Sequence, residues 1–261
     1  MLKVKLCKTN VNRSMRYLSQ LVVPDNSFAL SGSGWLMPFY LGVIDGLRKE
    51  GIMNETSHYA GSSGGSICSL HACSDYSCEE ALGEIIEMST DKIVWKNMDF
   101  ALRKSLIKRV TPEALEKCQG RLHVTTTKVW PNPEAKATIF SKYDSAEHMV
   151  DCIAASCFIP LYGASQLSVN IGQEKHIDGG VFAFIPPVGK VTISPFGNAH
   201  FMVGGPPNMR PIDIHLDKEE FPLGKLLYWA LNPAPEKKMY LLYKRGEEAA
   251  LRWMEQQHRP A

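Results

Sequence analysis

The chain has 261 residues, of which 44% are hydrophobic and 21% are charged, with a formal net charge of +2. This length and composition predict one large globular domain with a substantial core and argue against an intrinsically disordered chain. The small net charge does not favour nucleic acid as a main partner, and the absence of a run of eighteen uncharged apolar residues argues against a membrane span.

Residues 1–25 are predicted to form an N-terminal basic extension that precedes a single domain over 26–261. Five basic residues and no acid occur in 1–24. Apolar side chains recur there at helical spacing, at Met15, Leu18, Leu21 and Val22. Three interpretations stay open: a solvated tail, an organelle transit sequence, and an amphipathic helix that docks on a lipid surface.

Short apolar or β-branched runs alternate with helical patterns along the rest of the chain. Strands are predicted at 27–30, 58–60, 121–130, 136–143, 175–178 and 190–194, with the third and fourth forming a hairpin. Helices are predicted over 35–50, from the segment after 60 to about 119, and over 145–156, 218–232 and 235–256. This alternation predicts an α/β layered fold.

The stretch Gly61-Ser62-Ser63-Gly64-Gly65 matches the pattern G-x-S-x-G with Ser63 at its centre. It lies between a predicted strand and a predicted helix, where a nucleophilic serine occupies a sharp turn and flanking glycines avoid steric clashes. Neither Ser62 nor Ser66 has glycines at both flanking positions. A helix-capping loop is the alternative interpretation, but it does not explain the symmetric glycines around Ser63.

A second glycine turn, Gly32-Ser33-Gly34, also falls between a predicted strand and a predicted helix. Its backbone N–H groups, together with those at the helix start after Ser63, are candidate donors to an oxyanion. A phosphate cradle is the alternative interpretation, but a dinucleotide fingerprint requires a third glycine where this chain has Met37.

Two arrangements can supply the base. The order Ser63, Asp178 and then His200 or His215 fits a serine triad. Asp178 also stands at a strand end in HIDGG, where the glycine turn can hold its carboxylate toward another loop. Turn capping is the purely structural alternative for this aspartate.

The seven cysteines are odd in number and include no CxxC pair. Their spacing matches neither a zinc knuckle nor a redox motif, so we expect core side chains in a reducing compartment. The first ten residues also lack the apolar run of a secretory signal. The sequence therefore predicts a cytoplasmic location.

The segments SGSGWLMPFYLGV, GSSGG and DGG, in this order, resemble the patatin-like phospholipases, and especially the animal-type branch of that family. The segments RLHVTTTKVW, SAEHMVDCIAASCFIPLYG, VTISPF and YLLYKRGEEAALRWM follow in family order, so that the resemblance covers roughly residues 26–256. It implies a three-layer α/β/α fold with a central, mostly parallel sheet.

The resemblance implies a Ser–Asp dyad without a catalytic histidine, with Ser63 as nucleophile and Asp178 as base. The implied oxyanion site comprises Gly32, Ser33, Gly34 and Gly64, and the remaining motif glycines are Gly61, Gly65, Gly179 and Gly180. The implied activity is hydrolysis of glycerolipid acyl esters through an acyl-enzyme, without metal or cofactor, by a protein bound peripherally to membranes or lipid droplets. Transfer of the acyl group to a lipid alcohol uses the same dyad. A catalytically weak scaffold that binds lipid or a lipase is the remaining alternative.

Two positions depart from the family pattern. Met37 replaces the last glycine of the first motif, and we expect its side chain to crowd the oxyanion loop. After DGG, the family's short polar stretch is replaced by VFAFIPP, which makes the neighbourhood of Asp178 more apolar through Phe182 and Phe184. This segment is expected either to widen a lipid contact or to mark relaxed catalytic constraint.

Overall fold

The computed structural model describes residues 23–91, 97–131, 136–162, 166–197 and 211–257. The extension predicted over 1–25 therefore lies almost wholly outside the described residues, as do its docking-helix and transit-sequence interpretations. His200 also lies outside them. The domain boundary near residue 26 stays a prediction.

Seven strands form one sheet, hydrogen-bonded in the order β5-β6-β3-β2-β1-β7, with β4 also paired to β3. Their bounds are β1 Ser27–Leu30, β2 His58–Ser62, β3 Leu122–Trp130, β4 Lys136–Phe140, β5 Val169–Ile171, β6 Glu174–Asp178 and β7 Val191–Ile193. The strands β1, β2, β3 and β7 are mutually parallel, whereas β4 and β6 run opposite to β3 and β5 runs opposite to β6. Because β5 therefore points the same way as β3, five of the seven strands share one direction, and the predicted mostly parallel sheet is confirmed.

Helices flank this sheet and complete the predicted three-layer α/β/α fold. They are α1 Met37–Lys49, α2 Gly64–Ser74, α3 Cys78–Thr90, α4 Met98–Arg109, α5 Pro112–Cys118, α6 Ala146–Ser156, α7 Gly180–Ala183, α8 Leu223–Leu231 and α9 Glu236–Gln257. A 3₁₀ turn, Gly34–Leu36, precedes α1. Within the described ranges, no helix combines the length and the apolar character that crossing a membrane requires.

Strand β3 has two different neighbours along one of its edges. Val124 pairs with both β2 and β4, so these two strands lie on opposite edges of β3. Thr126 pairs with both β4 and β6, so β6 lies on the same edge as β2. Ser62, at the end of β2, faces Thr125, and Asp178, at the end of β6, faces Thr126. The carboxyl ends of β2 and β6 therefore meet head to head beside β3.

Most predicted elements form close to their predicted positions, and Ser145 caps α6 by accepting a hydrogen bond from the backbone N–H of His148. The helix predicted over 218–232 begins only at Leu223, because Pro222 disfavours a helical conformation at the residue before it. The strand predicted over 136–143 ends at Phe140. Strand β5 and the short helix α7 were not predicted.

The last helix, α9, packs against α1 through contacts at glycine. A Cβ atom built on Gly42 of α1 would overlap the backbone carbonyl of Tyr243, and one built on Gly246 would overlap the backbone carbonyl of Phe39. Both glycines are therefore required by the close approach of two backbones. This contact fixes α1, which is joined to the glycine turn at residues 32–34 by the 3₁₀ turn Gly34–Leu36.

We predict that Gly42→Ala destabilises the protein by about 1–3 kcal/mol or more, because neither helix backbone can yield without loss of packing. The matched control is Gly83→Ala in α3, where an added Cβ meets no atom within 4 Å. This substitution should stabilise the protein by up to about 1 kcal/mol, since alanine has the higher helix propensity. Urea denaturation of both variants measures the two free energies. Equal effects of the two substitutions would contradict the close packing of α1 and α9.

Candidate active site

Ser63 is the single residue between the end of β2 at Ser62 and the start of α2 at Gly64. Its backbone angles are φ 52° and ψ −132°, a conformation that non-glycine residues rarely adopt and that costs on the order of 1–3 kcal/mol. A Cβ atom on Gly61 would overlap the backbone of Ser66, and one on Gly65 would overlap the carbonyl of Ser31. The flanking glycines thus allow the sharp strand-to-helix turn that the sequence predicts.

The structure brings Ser63 and Asp178 into direct contact. The Ser63 hydroxyl donates to Asp178 Oδ2 at 2.6 Å, and the Gly180 backbone N–H donates to Oδ1 at 2.7 Å. Both side chains are nearly buried, with exposures of 8% for Ser63 and 5% for Asp178. Burial raises the pKa of Asp178 to about 6, and the hydrogen bonds from Ser63 and Gly180 partly oppose this shift.

The alternative serines have other hydrogen-bond partners. The Ser62 hydroxyl donates to the carbonyl of Ala183 at 2.6 Å, and the Ser66 hydroxyl donates to the carbonyl of Ser63 at 2.7 Å. Both side chains are fully buried. Of these three serines, only Ser63 donates a hydrogen bond from its hydroxyl to Asp178.

Within the described residues, no histidine hydrogen-bonds to the Asp178 carboxylate, which accepts from Ser63 and Gly180. His215 uses its Nδ1 to donate to the carbonyl of Leu216 at 2.8 Å. The structure therefore brings together the predicted pair and leaves His215 outside the contact.

The glycine turn at residues 32–34 lies directly against the serine elbow. The Ser33 hydroxyl oxygen and the Gly34 carbonyl oxygen each lie 2.7 Å from the position of a Cβ on Gly64. Gly34 has φ +53°, and a Cβ on it would overlap the carbonyl of Ala230, so glycine is required there. The C-terminal end of α8 thus lies against the glycine turn of the site.

The N–H groups of this turn differ in whether they already have a hydrogen-bond acceptor within the protein. The Gly32 N–H donates to the carbonyl of Phe184 at 2.8 Å, so it is engaged within the protein. The N–H groups of Ser33, Gly34 and Gly64 have no hydrogen-bond acceptor in the described part of the chain. Three of the four residues predicted for the oxyanion site therefore have backbone donors available.

The departures Met37 and VFAFIPP both contact the site. Met37 starts α1 with ordinary helical angles, φ −50° and ψ −34°, and its Cγ lies 3.2 Å from the Cβ position on Gly64. Phe184 is buried against Gly32, whereas Phe182 is about half exposed. A methionine is thus accommodated without backbone strain at its own position, and its effect on turnover stays a prediction.

Two further contacts were not predicted from the sequence: the bond from Gly32 to Phe184, and a bond from the Ser63 N–H to the Ser156 hydroxyl at 2.9 Å. The only sequence signal for either was the position of Ser156 in the ASCFIP segment. In the part of the chain that the structure describes, no cluster of histidine, cysteine, aspartate or glutamate could hold a metal ion.

The fold and the site together define a three-layer α/β protein with a strained serine elbow beside a buried aspartate. The patatin-like phospholipase family model matches residues 28–188, which include both of these residues. The chain belongs to the patatin-like phospholipase family.

Curated relatives place the chain among animal-type members of this family. It is 26% identical over 249 residues to patatin-like phospholipase domain-containing protein 4 of Homo sapiens. This alignment covers 87% of this chain and 96% of that protein. It is 25% identical over 191 residues to 1-acylglycerol-3-phosphate O-acyltransferase Pnpla3 of Mus musculus, covering 67% of this chain and 44% of that protein. It is 26% identical over 186 residues to omega-hydroxyceramide transacylase of Mus musculus, covering 66% of this chain and 30% of that protein.

We predict that Asp178→Asn raises the free energy of unfolding at pH 8 by about 3 kcal/mol at most. The pKa of Asp178 rises from 3.8 to about 6 on folding, so ionisation opposes folding at about 1.4 kcal/mol per pKa unit. The native state binds the proton more tightly, so the ionisation cost is absent below pH 4 and complete above pH 6. The advantage of the asparagine variant should therefore disappear as the pH falls from 6 to 4.

Urea denaturation at pH 4, 6 and 8 measures this difference. Asp144→Asn is the control, because the Asp144 side chain is 97% exposed and its removal should change stability by less than about 0.5 kcal/mol. A pH-independent difference between Asp178→Asn and the unmodified protein would contradict the raised pKa.

Proposed function

We propose that the chain is a carboxylic ester hydrolase that cleaves acyl esters of glycerolipids through a Ser63–Asp178 dyad. The observation that carries the proposal is the 2.6 Å hydrogen bond between the Ser63 hydroxyl and the buried Asp178 carboxylate. A nucleophile within hydrogen-bond reach of its base is the arrangement that covalent acyl transfer requires. The lipid substrate class is supported by membership of a phospholipase family.

Asp178 acts as the general base in this proposal. As the Ser63 oxygen attacks the ester carbonyl, its proton passes to Asp178 Oδ2. A carboxylate with an ordinary pKa is a weak base, and burial of Asp178 raises its pKa to about 6, closer to the working pH of the reaction. The dyad is therefore active only where Asp178 is ionised, which means above about pH 6.

The backbone N–H groups of Ser33, Gly34 and Gly64 are the proposed oxyanion donors. Gly64 begins α2, so the helix dipole adds to the favourable field at the developing negative charge. Loss of one such donor costs about a hundred- to a thousandfold in turnover in other hydrolases. Gly32 is not an oxyanion donor in this proposal, because its N–H already donates to the carbonyl of Phe184. Its lack of a side chain leaves room for the Phe184 ring.

Collapse of the tetrahedral intermediate breaks the ester bond, and Asp178 returns the proton to the leaving alcohol. The acyl group is then bonded to Ser63. In hydrolysis, water attacks this acyl-enzyme and gives its proton to Asp178. As the bond between the acyl group and Ser63 Oγ breaks, Asp178 returns that proton to Ser63 Oγ and the fatty acid leaves. A lipid alcohol in place of water gives transacylation, and two of the relatives carry the names acyltransferase and transacylase. Transacylation is therefore the second candidate function.

Exposed apolar side chains occur on segments that adjoin the site, and they support peripheral contact with a membrane or droplet surface. This apolar rim consists of Leu161, Val181, Phe182, Tyr228 and Leu231, which are between 48% and 72% exposed. Val181 and Phe182 follow the Asp178-Gly179-Gly180 turn directly. Leu161 is followed in sequence by Tyr162, whose hydroxyl donates to the carbonyl of Leu231. The Trp35 indole, from the 3₁₀ turn beside the oxyanion loop, donates to the same Tyr162 hydroxyl at 3.4 Å.

We predict that Ser63→Ala and Asp178→Asn each remove nearly all release of fatty acid from tri-, di- and phosphoglycerides. Because the two groups act as a unit, the double variant should be no slower than either single variant. The assay quantifies both free fatty acid and acyl-transfer products, which separates hydrolysis from transacylation. A fluorophosphonate should label Ser63 in the unmodified protein.

The matched control for this experiment is Ser74→Ala, a serine of α2 whose hydroxyl donates to the carbonyl of Leu70 within its own helix. It should keep full activity. Labelling at Ser62 or Ser66 would overturn the assignment of the nucleophile. A folded protein without turnover of any of these esters and without labelling would favour the scaffold alternative.

We predict that Leu161→Ser and Phe182→Ser each weaken binding to vesicles of anionic and neutral glycerolipids by about tenfold. A side chain that leaves water for the lipid phase gains about 1.5–3 kcal/mol when fully buried, and about 1.4 kcal/mol corresponds to tenfold in affinity. The control is Ile107→Ser on α4, a comparably exposed apolar residue outside the rim. Vesicle co-sedimentation is the measurement, and equal losses for all three variants would rule out a specific role of the rim.

A further inference from the structure

Ser156, the last residue of α6, contacts both partners of the serine–aspartate pair. Its hydroxyl oxygen accepts the Ser63 N–H at 2.9 Å, and its backbone carbonyl accepts the Gly179 N–H at 3.1 Å. The same hydroxyl donates to the carbonyl of Thr125 on β3 at 2.6 Å. Ser156 is completely buried. One residue thus joins the serine elbow, the aspartate turn and the neighbouring strand β3.

The elbow needs this support because Ser63 has already left the strand ladder. Ser62 is the last residue of β2 that pairs with β3, so the sheet does not fix the next peptide. A strained backbone conformation persists only where its surroundings determine it. The Ser63 carbonyl is held by the N–H and hydroxyl of Ser66, at 2.8 and 2.7 Å, and its N–H is held by Ser156.

We propose that Ser156 is a positioning residue that aims the Ser63 hydroxyl at Asp178 through these two hydrogen bonds. The inference rests on the proposed function, since it assigns Ser156 to the same site. Ser156 does not contact the reacting atoms and acts through the backbone of Ser63 and Gly179. Its importance follows from geometry, because a displacement of about 1 Å in a reacting group can cost about a hundredfold in rate.

The test compares Ser156→Ala with Ser69→Ala. Ser69 is the matched control, because it is also a fully buried serine, but its hydroxyl has no hydrogen-bond partner among the described residues. We expect Ser156→Ala to lower kcat by about ten- to a hundredfold while KM changes less than twofold. Ser69→Ala should leave both constants unchanged.

Two readouts distinguish positioning from a merely structural role. The acid limb of the kcat profile should move to higher pH in Ser156→Ala, because the hydrogen bond from Ser63 lowers the pKa of Asp178 and a misaimed serine weakens that bond. The partly buried Cys157 thiol beside the carboxylate does not titrate in this range, because desolvation raises its pKa. Hydrogen exchange of the Ser63 amide should also become at least about tenfold faster in Ser156→Ala, and not in Ser69→Ala.

The exchange measurement needs no turnover, so it separates this inference from the proposed function. An unmodified protein that neither hydrolyses esters nor reacts with a fluorophosphonate overturns the proposed function, and with it the catalytic purpose of the positioning. An active protein in which Ser156→Ala keeps its kcat, its acid limb or its Ser63 exchange rate overturns the positioning role alone. Where Ser156→Ala does not fold, Ser156→Cys fills the same space with a much weaker acceptor and is measured in the same way.

Discussion

The site depends on the meeting of two strand ends along one edge of β3. Strand β2 runs parallel to β3 and β6 runs antiparallel to it, so their carboxyl ends point toward each other. Ser63 follows the first end and Asp178 forms the second, although 115 positions separate them in sequence. If β6 ran parallel to β3, its carboxyl end would lie away from the elbow. The antiparallel strand in a mostly parallel sheet is therefore what makes the serine–aspartate contact possible.

This arrangement carries two unfavourable features that the rest of the fold must offset. Ser63 has a positive φ, and the Asp178 carboxylate is buried with no Lys or Arg paired to it among the described residues. Each is unfavourable by on the order of 1–3 kcal/mol, which is a large fraction of the stability of an ordinary domain. The close contact of α1 with α9 and the hydrogen bonds around the elbow hold these features in place. A site of this kind is expected to trade stability for activity.

Local patterns could predict much of the fold and both Ser63 and Asp178 as candidates, whereas their pairing without a histidine was implied by the family resemblance. The strand, the glycines and the helix around Ser63 are contiguous, and HIDGG marks a strand end without knowledge of its neighbours. The contacts that depend on tertiary structure could not be predicted in this way. The engagement of the Gly32 N–H by Phe184 and the bond between Ser63 and Ser156 join residues from distant segments. Strand β5 was missed because it has only three residues, too few for a periodic pattern.

In the proposed reaction the base is a carboxylate, Asp178, and this affects which acyl acceptor can react. Burial raises the pKa of Asp178 and so makes it a stronger base in this reaction, and the same burial is expected to limit the access of water to an acyl-enzyme. Water and a lipid alcohol then depend on the same base and the same oxyanion donors. In this proposal, what distinguishes them is which acceptor reaches Ser63. We therefore expect variation in the apolar rim to shift the balance between hydrolysis and transacylation while Ser63 and Asp178 stay the same.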